Sequence, residues 1–125
     1  MWKELLYVGA GGFAGAIARF LTSRSLARWL GAAYPYGTLA VNFTGSILLG
    51  FFLTWVTERV LTDYHLRIFV AIGFCGAYTT FSSYSFETFV LLEQRHYWLA
   101  ASNFLANNAL ALVGVVGGAM LARSL

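Results

Sequence analysis

Long apolar stretches with very little charge are the feature that most restricts what this chain can fold into. Four such segments occur, at about residues 5–21, 36–56, 66–92 and 97–121, and short polar breaks separate them. An α-helix needs roughly 20 residues to cross the hydrocarbon core of a bilayer, and the last three segments reach that length. The first reaches it when Arg19 lies near the interface and extends its apolar stem toward the headgroups. The pattern therefore predicts four transmembrane helices.

The composition agrees with a membrane protein built from helices. Hydrophobic residues make up 59% of the chain and charged residues only 10%, whereas soluble domains carry about 25% charged residues. Unpaired backbone groups are not tolerated in lipid, and the sequence lacks the repeated alternation of β-barrel strands. We therefore predict one all-α membrane domain over residues 1–125. The first apolar segment resembles a signal peptide, but we expect a retained helix because the rest of the chain is equally apolar.

The basic residues are divided evenly between the two faces of the membrane that four spans define. One face carries Lys3, Arg59, Arg67 and Arg123, and the other carries Arg19, Arg24, Arg28 and Arg95. The positive-inside rule needs an imbalance to set one orientation. The balance predicts insertion both ways up and an antiparallel homodimer, unless the few charges in short loops are simply a poor guide. The charges are too few and too scattered to indicate a nucleic-acid partner.

The run 73–87 is unusually polar for a transmembrane segment. It contains five Ser and Thr hydroxyls, two Tyr, three Phe and one carboxylate. Hydroxyls in hydrocarbon are costly unless a polar group meets them, so a row of them indicates a path for a small polar species. Phe81 and Tyr84 lie three residues apart, and the partly positive edges of their rings suit a small anion. Aromatic packing between helices is the alternative.

Two further features of the spans bear on such a path. Around residues 76–80 the residues are weak helix formers, which predicts a break in the third helix whose free carbonyls would need a partner such as a cation. Polar amides occur at Asn42 in the second segment and at Asn103, Asn107 and Asn108 in the fourth. These amides either line the path or hydrogen-bond neighbouring helices, and the sequence leaves both readings open.

Three residues placed well inside the apolar segments, away from their first positions, have a reactive or charged side chain. Arg19 would raise the local concentration of anions at the entrance of a path. Glu87 would oppose anions unless it is paired or protonated. Cys75, the only cysteine, is most simply a small packing residue.

Three blocks of the sequence together carry a resemblance to a known family. Residues 11–19 contain closely spaced glycines and end at Arg19, residues 37–45 contain a Val-Asn pair, and residues 73–87 place Thr-Thr-Phe-Ser after a glycine-rich start. In this order, and over its whole length, the chain resembles the small fluoride channels of bacteria, the Fluc or CrcB family. The resemblance implies passive fluoride export across the bacterial inner membrane through a dual-topology homodimer with two antiparallel pores.

The resemblance also implies roles for individual residues. It implies a structural sodium ion at the dimer centre, held by the backbone carbonyls of Gly76 and Thr79. The implied pore residues are Asn42, Thr80, Phe81, Ser82, Ser83, Tyr84 and Ser85, to which we add Asn107 from the less clearly matched fourth helix. Arg19 and Glu87 would lie toward the vestibules. Tyr84 stands where the commoner family pattern has Phe, so its hydroxyl either adds a donor or narrows the path.

Other classes of function fit the sequence less well. A dual-topology small-solute or multidrug exporter would use a carboxylate in its first helix to couple protons, and here that helix has Arg19 and no acid beyond Glu4. An intramembrane enzyme would need a His pair, a Cys-His pair or a Ser-Lys pair, and the spans contain none. A purely structural subunit would leave the hydroxyl row without a role. We therefore predict a fluoride channel, not an enzyme, with the bilayer and a second copy of the chain as partners.

Overall fold

A computed structural model of the chain describes residues 1–59 and 63–125. These residues form helices and connecting loops, and the described ranges contain no β-strand. The elements are α1 (Trp2–Leu30), α2 (Tyr36–Glu58), α3 (Tyr64–Arg67), a π-helical segment (Ile68–Cys75), α4 (Gly76–Tyr78), α5 (Phe81–Glu93) and α6 (Tyr97–Ser124).

Four helical stretches are long and apolar enough to cross a membrane. They are Trp2–Leu30, Tyr36–Glu58, Tyr64–Glu93 and Tyr97–Ser124, and the third of them, here called the third span, comprises α3, the π-helical segment, α4 and α5. The prediction of an all-α protein with four candidate spans is confirmed. Helix α1 continues to Leu30, beyond the end of the first apolar segment, because the Leu, Ala and Arg residues of this stretch are good helix formers.

The helices pack through small residues and leave their large apolar side chains outside. The most extensive contact joins α2 and α6, and α1 packs on the π-helical segment. At Gly118 of α6 a side chain would collide with the backbone carbonyl of Ile47 on α2, so only glycine permits this approach. Phe13, Trp98 and Leu112 are exposed. An apolar exterior around a thin, glycine-rich core is the distribution that lipid requires, since lipid tails solvate large apolar side chains.

The third span is not a continuous α-helix. Thr79 (φ −87°, ψ 159°) and Thr80 (φ −153°, ψ 121°) are extended between α4 and α5. The side chain of Thr80 then accepts a hydrogen bond from the backbone N–H of Ser83 at 3.1 Å, which caps the start of α5. This interruption, defined here as Thr79 and Thr80, faces α2 and α6 and forms one wall of the site described next.

Candidate functional site

A cleft of about 260 Å³ lies between α2, the interruption and α6. Its lining combines amides, hydroxyls and aromatic rings with a few apolar groups. The lining residues are Asn42, Gly45, Ser46 and Leu49 from α2; Thr79, Thr80, Phe81 and Tyr84 from the third span; and Asn107, Asn108 and Ala111 from α6. None of these residues is charged, so in the described part of the chain the cleft is polar without a fixed charge.

Helix α2 approaches the interruption closely enough for its side chains to replace the missing helical hydrogen bonds. The Asn42 carbonyl Oδ1 accepts from the backbone N–H of Thr80 at 2.8 Å, and Asn42 Nδ2 donates to the Thr80 carbonyl at 3.0 Å. Gly45 lies three residues after Asn42, about one helical turn further along α2. Glycine permits this approach, because a Cβ at this position would collide with the methyl group of Thr79. The side-chain amide of Asn42 therefore pairs with Thr80 much as a neighbouring strand would.

The amides of the cleft form one directional chain of hydrogen bonds. Asn42 Nδ2 also donates to Asn107 Oδ1 at 2.9 Å, and Asn107 Nδ2 donates to both the backbone carbonyl and Oδ1 of Asn103, each at 2.9 Å. Asn103 Nδ2 donates to Thr88 Oγ1 at 2.9 Å, and Thr88 donates to the Tyr84 carbonyl at 2.8 Å. Hydrogen bonds that run in one direction polarise each other, so this chain rigidly joins α2, α5 and α6.

The two predicted pore aromatics lie edge to face at the cleft. The ring centroids of Phe81 and Tyr84 are 5.2 Å apart with an interplanar angle of 70°. Tyr84 is buried, with 4% of its surface exposed, whereas Phe81 is 75% exposed. The Tyr84 hydroxyl accepts a hydrogen bond from Asn108 Nδ2 at 3.1 Å. The Tyr84 phenol is therefore held in place by a residue of α6.

The remaining hydroxyls of the row have different surroundings. Ser82 and Ser85 are exposed and Ser83 is partly buried. Ser83 Oγ accepts from Thr80 Oγ1 at 3.1 Å, and Ser85 Oγ donates to the Phe81 carbonyl at 2.9 Å. Within the described ranges, none of these three serines lines the cleft. The structure thus brings together Asn42, Thr80, Phe81, Tyr84 and Asn107, and places the three serines on the adjoining surface of α5.

The two charged residues predicted at the vestibules, Arg19 and Glu87, do not line the cleft. Arg19 is partly exposed on α1. Glu87 Oε1 accepts a hydrogen bond from Thr38 Oγ1 at 2.7 Å, while Glu87 Oε2 is buried and has no hydrogen-bond partner among the described residues. Glu87 borders a second cavity, of about 230 Å³, beside the loop that joins α1 and α2.

The backbone carbonyls of Gly76 and Thr79 lack the hydrogen bonds that a continuous α-helix would give them. The N–H of Thr80, which would bond Gly76, is directed to Asn42 instead. The N–H of Ser83, which would bond Thr79, is directed to the Thr80 side chain. Two carbonyl oxygens without their helical donors are the kind of hard oxygen ligand that an alkali cation uses, so these residues fit the sodium ion that the resemblance implies.

Sequence reasoning missed one polar residue of the cleft. Ser46 stands out in the sequence only as a small residue suited to helix packing, yet it lines the cleft. Its position four residues after Asn42 places both on one face of α2 and is the signal that could have identified it. The roles of Asn103 and Thr88 in the amide chain had no signal of this kind, because their partners lie on other helices.

Comparison with known proteins gives a consistent result over nearly the whole chain. The family model described as CrcB-like protein, Camphor Resistance (CrcB), matches residues 6–119. A fluoride-specific ion channel FluC of Koribacter versatilis (strain Ellin345) is 50% identical over 123 residues, which cover 98% of each chain. Proteins of the same name are 41% identical in Sulfurihydrogenibium sp. (strain YO3AOP1), over 98% of this chain and 99% of the relative, and 43% identical in Coxiella burnetii (strain CbuK_Q154), over 97% of each.

Proposed function

The chain belongs to the CrcB-like protein family, and we propose that it is a fluoride-selective channel that releases fluoride passively across the bacterial inner membrane. The observation that carries this proposal is the uncharged polar cleft beside the interruption, in a chain whose sequence is 50% identical to that of a fluoride-specific ion channel. A small anion gives up its water only where several donors replace it, and it leaves again only where no fixed cation traps it. The cleft offers hydroxyls and ring edges and no cationic side chain among the described residues.

The path of the ion would run along the predicted pore residues. The edges of Phe81 and Tyr84 would face the anion in the cleft beside Thr80, and Ser82, Ser83 and Ser85 would continue the path along α5. Arg19 would attract anions to a vestibule. Thr38 would reduce the repulsion that Glu87 exerts, because its hydroxyl bonds one carboxylate oxygen.

A second copy of the chain would complete the pore. Phe81 lies at the cleft with 75% of its surface exposed, so a single chain forms only part of the wall. The even distribution of basic residues over both faces supports an antiparallel homodimer, and its two-fold symmetry would create two pores of opposite direction. The exposed apolar side chains of the other helix faces would contact lipid.

A structural sodium ion would stabilise the interruption in this dimer. The carbonyl oxygens of Gly76 and Thr79 would hold it, since both have lost their helical donors. Bound there, the ion would offset the partial negative charge of carbonyls exposed within the membrane. The chain's own residues, Asn42 and Thr80, keep these carbonyls free by bonding the two N–H groups that would otherwise pair with them.

Fluoride efflux from liposomes, followed with a fluoride electrode, tests the proposal. We expect the purified protein to release fluoride and to retain chloride. Phe81→Ile removes an aromatic edge from the cleft, so the rate should fall sharply while the protein still elutes as the same oligomer. Equal rates for fluoride and chloride, or an unchanged rate in Phe81→Ile, would contradict the proposed pore.

A proton-coupled exporter receives no support from the site. Such a transporter needs an acidic residue in its binding cleft. Within the described residues, no Asp or Glu lines this cleft.

A further inference from the structure

The amide groups that line the cleft have no N–H left for an anion. A primary amide has two N–H donors. Asn42 uses both, on the Thr80 carbonyl and on Asn107. Asn107 directs both of its own to Asn103. Asn108 directs its Nδ2 to the Tyr84 hydroxyl and to the Phe104 carbonyl.

Two of the four hydroxyls that line the cleft are committed in the same way. Thr79 Oγ1 donates to the Cys75 carbonyl at 2.8 Å. Thr80 Oγ1 donates to Ser83 Oγ at 3.1 Å. A hydroxyl has a single proton to donate. These two threonines therefore contribute oxygen lone pairs to the cleft, which repel an anion, unless they exchange their present partners for it.

The hydroxyls of Ser46 and Tyr84 are different. Tyr84 OH accepts from Asn108, so its own proton has no acceptor in that bond. Ser46 makes no side-chain hydrogen bond within the described ranges 1–59 and 63–125, although it lines the cleft. Ser46 lies on α2 and Tyr84 on α5, so the cleft has one free O–H donor on each of two helices.

We propose that the hydroxyls of Ser46 and Tyr84 are the donors that bind a dehydrated anion in this cleft, and that Asn108 positions the Tyr84 hydroxyl. This inference rests on the proposed function, because it names the groups that meet the transported ion. A hydroxyl can rotate to follow an ion, whereas the amides are fixed by two bonds each. Asn108 has a specific part: its donation orients the Tyr84 oxygen so that the phenol proton is directed away from Asn108.

The first experiment compares two minimal variants with matched controls. Ser46→Ala and Tyr84→Phe each delete one oxygen and keep the shape of the site. We expect each to lower the rate of fluoride efflux from liposomes at least about tenfold, which corresponds to about 1.4 kcal/mol. Ser102→Ala and Tyr97→Phe make the same chemical changes on α6 away from the cleft, and their rates should stay within about twofold of the parent.

The outcomes separate this inference from the proposed function. A parent protein that releases no fluoride would overturn both. A parent that releases fluoride, together with Ser46→Ala and Tyr84→Phe variants that match it, would leave the channel intact and overturn the assignment of the donors. Thermal unfolding of each variant in detergent, unchanged from the parent, ties a lowered rate to the missing donor.

A second experiment tests how Asn108 acts. Asn108→Ala should raise the fluoride concentration that half-saturates the flux in the parent background. In the Tyr84→Phe background it should have no further effect, because the hydroxyl that it orients is already absent. If Asn108→Ala changed the half-saturating fluoride concentration by the same factor in the parent and in the Tyr84→Phe variant, the positioning role of Asn108 would be overturned.

Discussion

Replacing Asn42 by Ala tests whether a side chain of α2 holds the third span open. The substitution removes three hydrogen bonds and leaves the N–H of Thr80 without a partner, whereas the Thr80 carbonyl, at the N-cap of α5, still accepts the first hydrogen bond of that helix. Thr80 is only 9% exposed, so water reaches this N–H poorly. An unsatisfied buried polar group costs about 1–3 kcal/mol. For the single N–H that loses its partner, the middle of this range is about 2 kcal/mol.

This free energy can be measured at the backbone itself. About 2 kcal/mol corresponds to roughly a thirtyfold change in an equilibrium. We therefore expect hydrogen exchange at the Thr80 amide to be about thirtyfold faster in Asn42→Ala, as read from peptides that span residues 73–86. Fluoride flux should fall in parallel, because the interruption forms one wall of the cleft.

Thr44→Ala is the matched control on the same helix. Thr44 Oγ1 donates to the Ala40 carbonyl and pairs with the Tyr78 hydroxyl at 2.9 Å, away from Thr80. In the Thr44→Ala variant, the rate of hydrogen exchange at the Thr80 amide should equal that of the parent protein. If Asn42→Ala abolished flux while hydrogen exchange at Thr80 stayed the same, Asn42 would be a ligand of the anion. That result would refute our account, in which Asn42 acts by bonding the backbone of Thr80.

Three further substitutions test the packing and the polar contacts around the site. Gly118→Ala should lower the thermal midpoint in detergent strongly, because its Cβ would collide with a carbonyl on α2; Gly117→Ala, where a Cβ meets nothing within 4 Å, should not. Thr38→Val removes the only donor that the structure places on Glu87 within the described residues, so we expect the free energy of unfolding to fall by about 1–3 kcal/mol, measured by thermal unfolding in detergent. In a Glu87→Gln background the same substitution should lower the stability less. Asn103→Leu, at a fully buried position, should lower the thermal midpoint, at a cost in stability of about 1 kcal/mol, since hydrogen bonds between transmembrane helices average about 0.6 kcal/mol and its side chain makes one such bond to Thr88 on α5 and a second bond with Asn107 within α6; a midpoint equal to the parent's would contradict the continuous amide chain.

The number and approximate position of the helices could be predicted from the sequence because both follow from local chemistry. A stretch of apolar residues of sufficient length is a candidate span whatever surrounds it. The irregular part of the third span left a weaker signal, in the poor helix formers of residues 76–80. The extended conformation of Thr79 and Thr80 depends on more than that signal, since Asn42, 38 residues earlier in the chain, bonds the backbone there.

Which polar side chains of the cleft keep a free hydrogen-bond donor could not be predicted from the sequence. Asn42 and Ser46 differ in the sequence only as an amide and a small hydroxyl on one face of α2. In the folded chain the amide of Asn42 is saturated by protein partners, whereas Ser46 lines the cleft and its hydroxyl has no hydrogen-bond partner among the described residues. Whether a donor is free depends on the acceptors that other helices bring within 3 Å of it.

By itself, the sequence determined that this protein is a four-helix membrane chain with one unusually polar stretch, because hydrophobic length and hydroxyl content are properties of consecutive residues. The tertiary structure alone decided which polar groups meet each other. Asn103, Asn107 and Asn42 became one chain of hydrogen bonds, and Tyr84 became a phenol held by Asn108, because α2, α5 and α6 pack within hydrogen-bond distance of one another. In lipid, where water cannot satisfy polar groups, such pairings decide which donors remain for an ion.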